Sequence, residues 1–144
     1  MYCSIQDIIN RISEDVLIRL TDDKDTGMID ETKVNEAIEE AVGEIDAYAQ
    51  SRYTLPFNPV PKIIKKLTVD LAIYSLFARR GLNADNNEDQ VIIQQRKDAV
   101  KFLENLARGL ITIGPAPEQT QKPESGVIVT GPGRVFSREK MRDF

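Results

Sequence analysis

Residues 31–56, ETKVNEAIEEAVGEIDAYAQSRYTLP, decide the fold. Apolar side chains recur at Val34, Ala37, Ile38, Ala41, Ile45, Tyr48, Ala49 and Tyr53, in steps of three and four that share one face of a 3.6-residue helix. That face requires a core. The opposite face carries Glu36, Glu39, Glu40, Glu44 and Asp46, an acidic stripe whose simplest reading is a solvated surface. Asp30 is the expected N-cap. Pro56 is the expected stop, because its ring disfavours helical geometry in the preceding residue and it lacks an N–H donor. Such a helix reaches about 35 Å at about 1.5 Å per residue, roughly the diameter of a small domain. Other helices are therefore expected to lie along it.

Upstream, Ser4 and Asp7 have the spacing of a capping box, and Ile5, Ile8, Ile9, Ile12, Val16, Leu17 and Leu20 continue an apolar stripe. Ser13, followed by Glu14 and Asp15, offers a second start, so the segment reads as one helix to Leu20 or as two short ones. The stretch TDDKDTGMIDETK tempts a calcium reading. With Gly27 at the sixth position of an EF-hand loop, Lys24 and Lys33 occupy the third and twelfth, where the ion needs oxygen. A polar turn with Gly27 in a left-handed conformation fits better.

Downstream, Pro56, Pro59 and Pro61 make a stiff corner. Pro61 or Lys62 opens a further helix that runs to Gly81, with Ile63, Ile64, Leu67, Leu71, Tyr74 and Phe77 inward. Val69, Ala72, Ile73 and Leu76 extend its apolar cover past half the circumference, as in a helix central to its domain or shared with a partner subunit. Arg79 and Arg80 close it, where positive charge complements the carbonyl end of the macrodipole. After a polar loop at 83–89, a last helix is expected over roughly Glu88 to Arg108, with Val91, Ile92, Ala99, Phe102, Leu103, Leu106 and Ala107 on its apolar side.

From Leu110 the composition changes. These limits give a helical core at 1–114, a flexible linker at 115–126 and a β-prone arm at 127–144, where a Gly-Pro-Gly turn separates two short runs of strand formers. The fold class expected is mainly α, four to five helices with a short β-prone C-terminal arm. Arg134, Arg138, Lys140 and Arg142 make the closing segment basic, and it reads either as a solvated tail or as a peptide that orders on a partner.

Bulk properties narrow the function. The 144 residues, 41% hydrophobic, supply one core rather than two. A net charge of −4 argues against a free-standing nucleic-acid binder. No apolar run is long enough to cross a bilayer and no leader-like N-terminus occurs, so a soluble cytoplasmic protein is expected. The absence of histidine removes Ser-His-Asp and Cys-His catalysis, and the lone Cys3 reads as a bystander. No Gly-rich phosphate loop or nucleophile elbow occurs, and no metal or cofactor is expected.

Glu44, Ile45, Asp46, Tyr48, Arg52, Tyr53, Leu55 and Pro56, followed by Pro61, Asp70, Leu71, Ala72, Tyr74, Arg79 and Arg80, resemble a family of small proteins from Mu-like phages and prophages. The closing FSREKMRDF is similar to that family's basic C-terminal end. The family's helical organisation resembles the head-tail connector or adaptor proteins that form a ring beneath the portal of tailed phages. The resemblance implies a structural, non-catalytic role in the virion or in the host cytoplasm during assembly. Its implied partners are further copies of the chain in a ring, portal and tail-completion proteins, and DNA passing without specific binding, with no membrane.

A ring subunit needs two different faces that complement each other. The acidic stripe and the basic ends of the Lys62–Arg80 segment are one such pair. The interface candidates are Arg52, Tyr53, Lys65, Lys66, Arg79, Arg80, Arg134, Phe136, Arg138 and Phe144. The competing reading is a monomeric helical module that docks through its C-terminal tail, with a carboxylate-based enzyme third.

Overall fold

Local capping chemistry sets the start of four of the five helices in the computed structural model, which describes residues 1–113. The expected linker and arm lie outside the described residues. Helix α1 (Ile5–Ile12) starts at the Ser4–Asp7 capping box, with each side chain bonded to the other's backbone N–H. Ser13, at φ 75°, ends α1 and caps α2 (Glu14–Thr21), so the two-helix alternative holds. Asp30 caps α3 (Glu31–Ala49) by accepting from the amides of Thr32 and Lys33. Helix α4 (Lys62–Arg80) follows Pro61, with no side-chain cap, and stops at Gly81 with φ 94°. Asn86 caps α5 (Asn87–Ala107), and Gly109 follows its end at φ 81°. The 22–30 turn places Gly27 at φ 78°, as the polar-turn reading expects. Among the described residues there is no strand.

Five contacts between segments fix the topology. Asp23, in the turn after α2, bonds both Lys33 in the first turn of α3 and Arg79 in the last turn of α4, so α3 and α4 are antiparallel. The hydroxyl of Tyr53, just past α3, accepts from the amide of Ile113, just past α5, so α5 runs alongside α3 and against α4. The pair formed by α1 and α2 follows α4 in the same direction. Asp7 meets Lys65 near the start of α4, and the carbonyl of Leu20 meets Arg79 near its end. The bundle therefore has two distinct ends. The corner end holds the close of α3, the proline corner, the start of α4 and the close of α5. The turn end holds the 22–30 turn, the start of α3, the close of α4 and the 81–86 loop.

Helix α4 is central to the domain. Ile64, Leu67, Thr68, Val69, Asp70, Leu71, Ala72, Ile73 and Leu76 are all buried, with Ile38 and Ile45 of α3, Leu103 and Leu106 of α5, and Ile8 and Leu17 of α1 and α2 around them. Each large aliphatic side chain so buried contributes on the order of 1.5–3 kcal/mol. Buried Thr21 and Thr68 return their hydroxyls to the carbonyls of Leu17 and Ile64 one turn earlier, so neither carries an unpaired donor into the core.

The structure corrects three expectations. Helix α3 stops at Ala49, not Pro56, because the amides of Arg52 and Tyr53 both turn back to the Ala49 carbonyl. Its 19 residues span about 28 Å at about 1.5 Å per residue. Tyr53 kept the apolar rhythm because it packs on the same core from the turn. The acidic stripe is not uniformly solvated: Glu40 accepts from Ser75, Glu44 pairs with Arg96 and Asp46 accepts from Tyr2. Val91 is 55% exposed, because it lies on a turn of α5 that faces solvent. Past α5, Ile111 packs on the core and Ile113 is only 7% exposed.

Candidate interaction surfaces

The six interface candidates among the described residues fall into two groups at opposite ends of the bundle. Arg52, Tyr53, Lys65 and Lys66 lie toward the corner end. Arg79 and Arg80 lie at the turn end. Arg134, Phe136, Arg138 and Phe144 are outside the described residues.

At the corner end an aromatic chain ties three segments together. The Tyr2 ring meets Phe57 edge-on at 5.6 Å, and Phe57 meets Tyr53 at 5.7 Å. Tyr2 donates to Asp46 at 2.6 Å and accepts from the Phe57 amide at 3.3 Å. Burial and the Asp46 hydrogen bond push its phenol up to about 12. Tyr53 accepts from Ile113 at 3.0 Å, and the Arg52 guanidinium lies so close over Gly109 that an added Cβ would stand 2.5 Å from it. Sequence spacing gave no sign of this cluster, because its members come from the N-terminus, the proline corner and the end of α5.

Beside it, Lys65 pairs with Asp7 at 3.0 Å and Lys66 with Asp70 at 2.8 Å. Asp70 also takes the guanidinium of Arg11, so this 2%-exposed carboxylate bolts α1 to α4. A buried charge persists only when paired, and here two cations satisfy it. The available signal was an acid inside the apolar run TVDLAI with a lysine four residues earlier.

At the turn end, Arg79 donates to the Leu20 carbonyl at the close of α2 and to Asp23, both at 2.7 Å. Arg80 joins at 3.4 Å from Asp23, and Lys33 bridges Asp23 and Asp30 at 2.9 Å each. Hydrogen bonds from Arg79 and then Lys33 hold the Asp23 carboxyl down at about 2. These arginines therefore cap α2 as well as closing α4. Mid-bundle, Arg96 of α5 forks onto both oxygens of Glu44 at 3.0 and 3.1 Å and stacks 5.0 Å from the Tyr74 ring, locking α5 to α3 and α4.

The chemistry on view is attachment. Cys3 is buried, and desolvation, then Asp7, push its thiol up to about 11, so it is protonated at neutral pH. Among the described residues no group of three or more Cys, Asp or Glu is placed to hold a metal ion, and no helix is long and apolar enough to cross a membrane.

A small, mainly α bundle whose acids and bases fasten helix to helix is the class that fold and surfaces define. The profile of the family described as "Bacteriophage Mu, Gp36" matches residues 2–130, and the chain belongs to that family. It is similar to the Mu-like prophage FluMu protein gp36 of Haemophilus influenzae, 29% identical over 145 residues that cover 100% of this chain and 98% of the relative. It is also similar to gene product J of Escherichia phage Mu, 28% identical over 142 residues and 96% of both chains.

Proposed function

We propose that the protein is a structural subunit of a Mu-like phage particle, acting at the neck as a head-tail connector that assembles as a ring on the portal. The observation that carries this reading is the end-to-end match to proteins of phage Mu and a Mu-like prophage. The bundle supports it: Asp70, Asp23 and Glu44 are each spent on joining helices, which suits a part that must keep its shape under load. Ring contacts between identical subunits are heterologous, so two unlike surfaces must face each other around the ring.

The test is co-expression with the portal protein of the same phage or prophage, followed by size exclusion and negative-stain imaging. A portal complex bearing an added ring of this chain is expected. A portal that elutes free of it, with the chain monomeric beside it, overturns the proposal in favour of an interaction module with another partner.

A further inference from the structure

We infer that copies of this chain attract one another end to end, the basic corner end of one against the acidic turn end of the next. From Ala47 to Val69 and from Asn105 to Ile113 no acid occurs, yet Arg52, Lys62, Lys65, Lys66 and Arg108 do. The fold brings these two stretches to one end. Asp7 and Asp46 reach that end and are engaged by Lys65 and Tyr2. Asp70 lies further in, where Arg11 offsets it, and Glu104 has Lys101 three residues before it in α5. The corner end is therefore positive on a chain of net charge −4.

The turn end is the reverse. Residues 22–31 and 83–89 hold eight acids and one base, Lys24. The fold adds Lys33, Arg79 and Arg80, which neutralise Asp23 and Asp30 and leave the remainder in excess. With 19 residues in each of α3 and α4, about 28 Å separates the two ends, well beyond the Debye length of about 8 Å at physiological salt. The ends cannot neutralise each other within one chain.

Helix stability explains the acids but not the lysines. Asp30, Glu31, Glu88 and Asp89 sit at helix N-termini, where the macrodipole favours them. Lys62, Lys65 and Lys66 crowd the first turns of α4, where it disfavours cations; Asp7 and Asp70 offset Lys65 and Lys66, whereas Lys62 has no acid partner among the described residues. Such a placement fits a surface that meets negative charge outside the chain. The acidic turn end of a second copy is complementary to it, and repeated head-to-tail contact of this kind is heterologous.

This rests on the reading that the chain self-associates, and its test is separate from the portal experiment. Sedimentation velocity of the full chain in about 50 and about 500 mM salt should show a mass that rises with concentration only at low salt. Lys62→Glu with Arg108→Glu turns the corner end acidic, and Glu31→Lys with Asp85→Lys brings the turn end to six acids against six bases, which removes its excess of negative charge. None of these four residues holds an ion pair among the described residues, so helicity by circular dichroism should be unchanged. Each variant alone should be monomeric, and the two mixed should associate. A wild type that is monomeric at low salt, or variants that associate as it does, would overturn the inference while leaving portal docking untouched. Capture of double-stranded DNA by a wild type that does not self-associate would assign the corner end to phosphate and overturn it as well.

Discussion

Asp23 and Arg79, 56 residues apart, meet at 2.7 Å and so close the turn after α2 onto the last turn of α4. The pair holds the Asp23 carboxyl at about 2, below its ordinary 3.8. An acid depressed in the folded state stabilises it above the unfolded value and loses that contribution as pH falls toward the folded one. Asp23→Asn should therefore melt below wild type at pH 7. The gap should shrink as the pH drops from about 5 to about 2. A gap that stays constant across that window would show that the charge is not what Arg79 holds.

Removing the two partners of the Arg11–Asp70 pair should not cost the same. Arg11→Ala strands a 2%-exposed carboxylate on Lys66 alone, and losing one side of a buried pair costs about 3 kcal/mol. Asp70→Ala should cost less, because Arg11 and Lys66 are exposed enough to turn into water. Urea denaturation gives both values, and the reverse order would sink the argument.

Glycine substitutions separate helix propensity from strain. Gly43 lies in the middle of α3 with nothing within 4 Å of an added Cβ, so Gly43→Ala should stabilise by about 0.8 kcal/mol. Gly109→Ala should destabilise by about 1–3 kcal/mol, from its positive φ and its contact with Arg52. Adding Arg52→Ala should recover only the contact part. Thermal melts of the three variants check the ranking.

Tyr2 gives the alkaline counterpart. Its phenol is held neutral up to about 12, whereas an exposed tyrosine ionises near 10. Its contribution is complete below pH 10 and is lost as the pH rises toward 12. Tyr2→Phe should cost about 1 kcal/mol at pH 7 for the lost hydrogen bonds and should narrow its deficit above pH 10. An unchanged deficit at pH 11 would place the alkaline transition elsewhere.

What the sequence made legible was local. The caps at Ser4 and Asp30, the opening at Pro61 and the stop at Gly81 each follow from a few neighbouring residues. The central place of α4 was legible as one of two options, because apolar side chains cover most of its surface. What stayed hidden was tertiary. Tyr53 continued the rhythm of α3 although the helix had ended, since its hydroxyl answers an amide 60 residues away. Asp70 stood in the sequence as a motif residue and Asp23 as part of a polar turn, and neither showed the arginine, Arg11 or Arg79, that the fold places beside it. The interface candidates were chosen by charge and motif, which set Lys65 and Lys66 at one end of their helix and Arg79 and Arg80 at the other but could not show that the first two meet Asp7 and Asp70 and the last two Asp23.

The aromatic chain Tyr2–Phe57–Tyr53, with the Tyr53 hydroxyl bonded to Ile113, links residues 2 and 113 at the same end of the bundle. Topologically the helical unit is almost a closed circle, so the polypeptide can be cut elsewhere without changing which helices touch. Joining residue 113 to residue 1 through a short glycine-serine bridge, and opening the chain in the exposed loop at Asn83–Asn86, should give a circular permutant with the same five helices. In that permutant new ends emerge at the acidic pole while the basic pole is sealed.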